Sequence, residues 1–265
     1  MRTNSRPVQD FVWSVLHTLA RIVPHQPRMT VLMYHAITEA DGFFAVSPND
    51  FDAQMKYVRA HAEPVTLAQA FEHAQGNRVK RDSVAVTFDD GYLDFSTHAL
   101  EVLKREGIPA TVFVLGDAPD RKELGNDLVL MNADQVRSLS KEPLVAIESH
   151  ALSHRKLKHL TPAELMHELT ESRRLIEERT GTKPVYIAYP KGSYNGPVIE
   201  AVKKAGYEGA CSVIERGVRP GDEVFALPRV QVDRSTTLAL FAAKLSLAAD
   251  WYYALWLFAK RLRGK

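Results

Sequence analysis

The chain has 265 residues, of which 45% are hydrophobic and 25% are charged, a composition typical of a globular protein with a substantial buried core. Its net charge of +2 excludes the strongly basic balance that marks a nucleic-acid-binding protein. The single cysteine, Cys211, excludes an internal disulfide framework and fits a reducing compartment. The length allows one large α/β barrel or two small domains.

The first segment, MRTNSRPVQDFVWSVLHTLARIV, has a basic start and an apolar stretch that His17 and Arg21 interrupt. No small-residue cleavage pattern follows, which favours an amphipathic helix over a signal peptide. No run of eighteen uncharged apolar residues occurs, so a spanning helix is not expected. We therefore predict an amphipathic extension over residues 1–29 and a cytoplasmic protein, with the inner face of the membrane as a further location to test.

From residue 30 onward, apolar runs with strand character alternate with helical patterns. Strands are predicted at 30–35, 84–88, 110–115, 144–149, 184–189, 207–213 and 225–232. Helices are predicted at 47–61, 66–76, 94–107, 132–140, 161–181 and 196–206. The clearest helix has Thr161 as its N-cap, Pro162 at its first position, Glu164 completing a capping box and Gly181 at its end.

Strands separated by helices imply parallel pairing through helical crossovers. Six or seven such units predict an α/β fold, a distorted (β/α) barrel over residues 30–235 with flanking terminal helices. In such barrels the chemistry lies at the carboxyl ends of the strands. The remaining segment, 236–265, is apolar and aromatic with a basic end and predicts one helix or a helix pair.

Polar residues with catalytic chemistry lie at the ends of four of the predicted strands. They are His35, then Asp89 with Asp90, then His150 with His154, and then Tyr189, Pro190, Lys191 and Gly192. The barrel interpretation directs all of them to one mouth. Their common placement, more than any single residue, indicates an active site.

Two histidines and a carboxylate can form a metal site with open positions. His150 and His154 would share a face if the chain turned helically there. One aspartate of the pair could then bind the metal, while its neighbour takes a proton from water that the metal activates. Chance surface histidines and a turn built on Asp-Asp-Gly are the alternatives. The spacing does not say which aspartate has which role.

The segments TFDDGY and SHALSH resemble the motifs of the polysaccharide deacetylase family, also called the NodB-homology domain or carbohydrate esterase family four. The resemblance covers roughly residues 30–235, and YIAYPKGSYN is similar to the third family motif. The opening VLMYHAI resembles the circularly permuted branch that includes poly-N-acetylglucosamine deacetylases. The family fold is a distorted (β/α) barrel, in agreement with the alternation of strands and helices.

The resemblance implies Asp89 as the catalytic base and Asp90, His150 and His154 as ligands of a divalent metal. Zn²⁺ is expected from the ligand types, and Co²⁺ or Ni²⁺ would fit the same set. His35 would protonate the leaving amine, and a nearby carboxylate would raise its pKa. The loop Tyr189, Pro190, Lys191 and Gly192 would contact the substrate or its developing oxyanion.

The chain departs from the family pattern at three places. Ala151 replaces a usual threonine, and Glu148 stands where a glycine is common. The third motif contains no arginine, which in the family orients the catalytic aspartate. Arg229 in LPRVQV is our candidate for that function.

We therefore predict a metal-dependent hydrolase that removes an N-acetyl group from an N-acetylhexosamine of a bacterial polysaccharide or glycolipid. Removal of a formyl or O-acetyl group from a lipid-linked sugar is an alternative. A non-haem iron oxygenase and a non-catalytic glycan-binding relic are the rival classes. The expected partner is an N-acetylated glycan or lipid-linked sugar, without nucleic acid, and the sequence leaves the oligomeric state open.

The basic, aromatic C-terminal segment has several interpretations. We favour helices packed over the barrel. Peripheral membrane contact and a contact between copies of the chain are the alternatives.

Overall fold

The computed structural model of the protein describes residues 6–42, 44–117 and 128–262. The strands are β1 Met29–Tyr34, β2 Ala36–Ile37, β3 Ala45–Val46, β4 Glu63–Val65, β5 Ser83–Phe88, β6 Ala110–Val114, β7 Val145–Ser149, β8 Tyr186–Ala188, β9 Gly209–Cys211 and β10 Val230–Gln231. The α-helices are α1 Arg6–Ala20, α2 Pro48–His61, α3 Leu67–Ala74, α4 Leu100–Glu106, α5 Ala133–Leu139, α6 Pro162–Thr180, α7 Gly196–Lys204, α8 Leu238–Lys244 and α9 Ala248–Leu262.

Eight parallel strands form one curled sheet, in which seven follow the order β10-β1-β5-β6-β7-β8-β9 and β4 also pairs with β5. β4 and β6 share one side of β5, pairing with its first and second halves respectively. The segment that leads into β10 links the two edges, since Leu227 forms a parallel bridge with Cys211 of β9. The prediction of a distorted (β/α) barrel is thus confirmed.

The predicted caps define most helix starts. The side chains of Ser47, Thr66, Asn132 and Thr161 each accept a hydrogen bond from a backbone N–H in the first turn of the following helix. The region 94–107 differs from the expected single helix, because it opens with a π-helical turn at Phe95–Ala99 before α4 begins.

The three short strands β2, β3 and β4 were not predicted, because two or three residues are too few to show a period. The last predicted strand, 225–232, is wrong in length, and only Val230–Gln231 pairs with β1. Residues 224–226 form a 3₁₀ turn instead. Pro228 then follows, which has no N–H to donate to a neighbouring strand.

Side chains alternate between the two faces of each strand, so the sheet separates two apolar clusters. The same alternation decides which residues face the barrel interior. Val84, Val86 and Phe88 of β5 join the layer beneath α2, α4 and α5. Ala85 lies in the opposite cluster, which α3 covers. Because successive side chains alternate, Asp89 at the end of β5 lies on the interior side with Ala85.

The two terminal segments pack together on the outside of the barrel. Trp13 of α1 stacks on Tyr252 of α9 with ring centroids 4.4 Å apart. Arg28, just before β1, pairs with the buried Asp250 of α9. The division into 1–29, 30–235 and 236–265 stays a prediction. Among the described residues, no helix has the length and apolar character needed to cross a membrane.

Candidate active site

Asp89 and Asp90 face the same site because the strand's hydrogen bonding ends at Asp89 and the chain turns at Asp90. The backbone N–H of Asp89 still donates to Tyr34 of β1 at 2.9 Å, so Asp89 continues the sheet. Asp90 has a φ of 70° and Gly91 a φ of 75°. This left-handed turn brings the Asp90 carboxylate to the interior side as well, where straight strand geometry would send it to the opposite face.

His150 and His154 also meet, but not through the helical turn that the sequence analysis assumed. Residues 150–156 form an irregular loop, in which Ala151 and His154 both have positive φ. The buried carboxylate of Glu168 in α6 accepts hydrogen bonds from the backbone N–H groups of Leu152 and Ser153. The loop brings the two imidazole rings within 5.1 Å, centroid to centroid.

Asp90, His150 and His154 form a group suited to a metal ion, with one potential ligand atom from each within 4.8 Å of the others. Asp90 Oδ1 lies 3.5 Å from His150 Nε2 and 3.4 Å from His154 Nε2. His150 Nδ1 lies 2.8 Å from the Ala188 carbonyl oxygen. Donation of the Nδ1 proton there leaves the Nε2 lone pair for a metal.

Two further observations show that this group fits a cation. Asp90 Oδ1 is buried and accepts no hydrogen bond from any residue the structure describes, an arrangement that is costly unless something binds the oxygen. Burial, followed by the neighbouring His150, lowers the pKa of His154 to about 4. His154 is therefore neutral at physiological pH, the form that binds metal.

Arg229 makes a bidentate ion pair with Asp89. Its Nη1 and Nη2 atoms donate to the two carboxylate oxygens at 2.7 and 2.8 Å, and Nη1 also donates to the Thr87 hydroxyl at 3.1 Å. Arg229 is fully buried and Asp89 is 3% exposed. Burial acts to raise the pKa of Asp89, but the guanidinium and nearby imidazoles outweigh it, so the pKa lies well below its usual range.

His35 follows β1 at the same mouth, and its ring stacks on Phe44 with centroids 4.6 Å apart. This stacking follows from the parallel register of β2 and β3, since Ala36 pairs with Ala45 and the two rings precede that pair. Burial lowers the pKa of His35 more than Asp89 and Asp90 raise it. The two carboxylates thus act to raise this pKa, as expected, but the desolvation of the ring outweighs them and the net shift is downward.

The third-motif loop combines a buried base with an exposed tip. Tyr189 and Pro190 are buried, and the Tyr189 hydroxyl donates to the Phe225 carbonyl at 2.9 Å. Lys191 is exposed and Gly192 is half-buried, with φ values of 57° and 61°. The positive charge of Lys191 also acts to lower the pKa of His154, after burial and His150.

Backbone strain coincides with these loops. In the described part of the chain, the non-glycine residues with positive φ are Asp90, Ala151, His154 and Lys191. Each belongs to one of the three motif loops. Left-handed conformations are unfavourable for such residues and concentrate where a site needs a special side-chain direction.

Four contributors to the site were missed in the sequence: the Thr87 hydroxyl, the Ala188 carbonyl, the Glu168 carboxylate and the Phe44 ring. A single sequence carries no signal for a backbone carbonyl that accepts a hydrogen bond from a histidine ring. Thr87 alone could have been found, since it lies two residues before Asp89 and therefore on the same side of β5.

We expect Arg229→Met to lower the free energy of unfolding by about 3–5 kcal/mol, because it leaves the Asp89 charge buried without its partner. Urea denaturation measures this change. The control is Arg229→Met combined with Asp89→Asn, which removes both charges and should recover much of the loss. Strictly additive losses in the double variant, or a loss below about 1 kcal/mol in the single one, would contradict the pairing.

Comparisons with known proteins agree with this geometry. The model of the polysaccharide deacetylase family matches residues 76–210. The Bacillus subtilis (strain 168) protein YxkH, named for the same family, is 30% identical over 85% of this chain and 79% of its own length. A poly-beta-1,6-N-acetyl-D-glucosamine N-deacetylase of Staphylococcus aureus is 26% identical over 71% of this chain and 68% of its own.

Among solved structures, a Streptococcus pyogenes deacetylase in complex with acetate superposes with a TM-score of 0.74 and 20% identity. The superposition covers 83% of this chain and 99% of that one, and it shows a shared fold. The Staphylococcus aureus match confirms the similarity to poly-N-acetylglucosamine deacetylases that the opening strand suggested. The family model matches half of the chain, and the Bacillus subtilis relative is 30% identical over 85% of it. The chain therefore belongs to the polysaccharide deacetylase family.

Proposed function

We propose that the protein is a metal-dependent N-deacetylase of an N-acetylhexosamine in a bacterial polysaccharide or glycolipid. The observation that carries the proposal is the division of the aspartate pair. Asp89 is held by Arg229, whereas Asp90 faces the two histidines. A binding protein has no need for a second, separately held carboxylate beside the ligand group.

Asp90, His150 and His154 would hold the cation. Two imidazoles and a carboxylate suit Zn²⁺ and would also accept Co²⁺ or Ni²⁺. Such a cation would polarise the acetyl carbonyl and lower the pKa of an attacking water. The Tyr92 phenol lies beside Asp90, and burial followed by this carboxylate raises the Tyr92 pKa, so the hydroxyl stays protonated.

The chain's own residues provide the proton transfers. Asp89 takes a proton as water adds to the acetyl carbon, and Arg229 fixes the orientation of the accepting oxygens. The C–N bond then breaks, and His35 gives a proton to the departing nitrogen, so the products are acetate and an amino sugar. A backbone N–H of the loop Tyr189–Gly192, near Lys191, would stabilise the developing oxyanion.

Acetate release from a panel of oligomeric and lipid-linked N-acetylhexosamines tests the proposal. Formyl and O-acetyl analogues in the same panel test the alternative that the enzyme removes those groups. A metal-loaded protein that binds the glycans and releases no acyl group would be a binding relic. Stoichiometric Fe²⁺ with turnover that requires an oxidant would identify an oxygenase. The cytoplasmic location stays a prediction.

Phe44 offers an exposed aromatic face at the mouth, with 45% of its surface accessible while its ring stacks on His35. We expect Phe44→Ala to raise the KM for oligosaccharide substrates by about 2- to 10-fold, the size of one aromatic stacking contact. Phe44→Trp should restore binding. Steady-state kinetics should compare the change in KM for the glycan with the change for a small activated acetyl ester. An equal rise in KM for both substrates would contradict a sugar-stacking function.

A further inference from the structure

The two terminal helices each expose an apolar stripe, here called the terminal-helix patch. On α1 the exposed residues are Phe11, Val15, Leu19 and, just beyond the helix, Ile22, with accessibilities of 68, 41, 44 and 78%. On α9 they are Leu255, Trp256, Phe258 and Leu262, at 51, 48, 62 and 74%. Rows of large, exposed apolar side chains along a helix are uncommon on a protein surface that meets only water.

Contacts between α1 and the α8–α9 segment hold the terminal helices together, and the apolar stripes remain exposed. Trp13 stacks on Tyr252, and His17 Nδ1 lies 3.2 Å from the Ser246 hydroxyl. These contacts make the pair antiparallel, so Phe11 lies toward the same end as the exposed part of α9. The first half of α9 packs on α1 and α8, and its second half has an apolar side that the described residues leave exposed.

Charge is distributed unevenly between this pair and the rest of the chain. Residues 1–28 and 248–265 contain eight Lys and Arg against two Asp, whereas residues 29–247 contain 26 Lys and Arg against 30 Asp and Glu. One of the two aspartates, Asp250, is buried and paired with Arg28 and Arg219. Among the side chains that the structure describes in these segments, Arg21, Lys260 and Arg261 are exposed cations. Exposed cations beside an apolar stripe complement an anionic lipid surface.

The end of α9 has the side-chain arrangement of an interfacial helix. Lys260 Nζ lies over the Trp256 ring, 5.0 Å from its centroid. Tryptophan and snorkelling lysine both favour the boundary between lipid headgroups and acyl chains. No acidic residue follows Asp250 in the sequence, so nothing in this segment opposes approach to a negative surface.

We propose that the terminal-helix patch docks the protein peripherally on an anionic membrane surface. The proposal goes beyond the deacetylase activity and does not depend on it.

Cosedimentation of the full chain with vesicles tests the proposal, using vesicles of phosphatidylcholine alone and of phosphatidylcholine mixed with phosphatidylglycerol. We expect binding to the mixed vesicles that weakens as salt is added. Phe258→Ser with Leu262→Ser should reduce partitioning at least about tenfold. Lys260→Gln with Arg261→Gln should reduce it by about fivefold for each cation.

The matched control is Val129→Ser with Leu238→Ser, since these exposed side chains, at 47 and 44% accessibility, lie outside the patch. The control should bind vesicles like the unaltered chain. Equal losses in control and patch variants, or no binding to anionic vesicles, would overturn the proposal. So would self-association in analytical ultracentrifugation that the patch variants abolish while vesicles are ignored, because a second copy would then cover the patch. Thermal unfolding verifies that each variant is folded.

Discussion

Asp89→Asn should retain the fold and bind metal but lose about 10²- to 10⁴-fold in turnover, the contribution typical of a general base. Asparagine keeps the shape of the side chain and can accept one hydrogen bond from Arg229, but it cannot take a proton. Asp89 is not a member of the ligand group, so the metal content should be unchanged. Metal analysis and acetate release on the same preparation measure the two effects separately.

Asp90→Asn is the matched variant, since it makes the same chemical change at the neighbouring position. It should lose metal together with activity, because Asp90 Oδ1 faces both histidines at 3.4 and 3.5 Å. If Asp89→Asn lost metal while Asp90→Asn retained it, the two roles would be inverted. Both variants should be assayed well below their unfolding temperatures, because Asp89→Asn also weakens a buried ion pair.

His35→Ala should fold, bind metal and lose most amide turnover, by about 10²-fold or more for a missing general acid. An amide nitrogen leaves badly unless it is protonated, whereas an activated acetyl ester has a leaving group that needs no proton. The ester should therefore be spared. Burial lowers the pKa of His35 against the opposing effect of Asp89 and Asp90, so the comparison of amide with ester tests directly whether the ring donates a proton.

Phe44→Leu provides the control for His35→Ala, because it removes the stacked ring and leaves the imidazole in place. Its main effect should be a raised KM for the glycan, so at saturating substrate amide turnover should fall by much less than in His35→Ala. Equal losses of amide and ester activity in His35→Ala would show that the imidazole supports the structure or the attack step. Protonation of the leaving nitrogen would then need another donor.

Local signals in the sequence were sufficient for the fold class. Capping residues such as Thr161 and stop signals such as Gly107 act within one turn of a helix, so a single sequence shows them. Strand alternation with helical crossovers then required parallel pairing and placed the polar residues at one edge. The short strands β2 and β4 escaped prediction because their pairing depends on the neighbouring strand and not on their own pattern.

The sequence by itself was sufficient to identify the polar residues at the mouth. The predicted strand ends converge there, and the family motifs are short stretches of consecutive residues. Their geometry was decided only by the tertiary structure. Arg229 pairs with Asp89 although 140 residues separate them in the sequence. His150 and His154 meet in an irregular loop that hydrogen bonds to Glu168 stabilise, and not in a helical turn. Sequence spacing specifies contacts within a few residues, whereas these contacts arise from packing between distant elements and from desolvation. The same desolvation lowers the pKa of His35 against the pull of its carboxylate neighbours, and no residue pattern records how deeply a ring is buried.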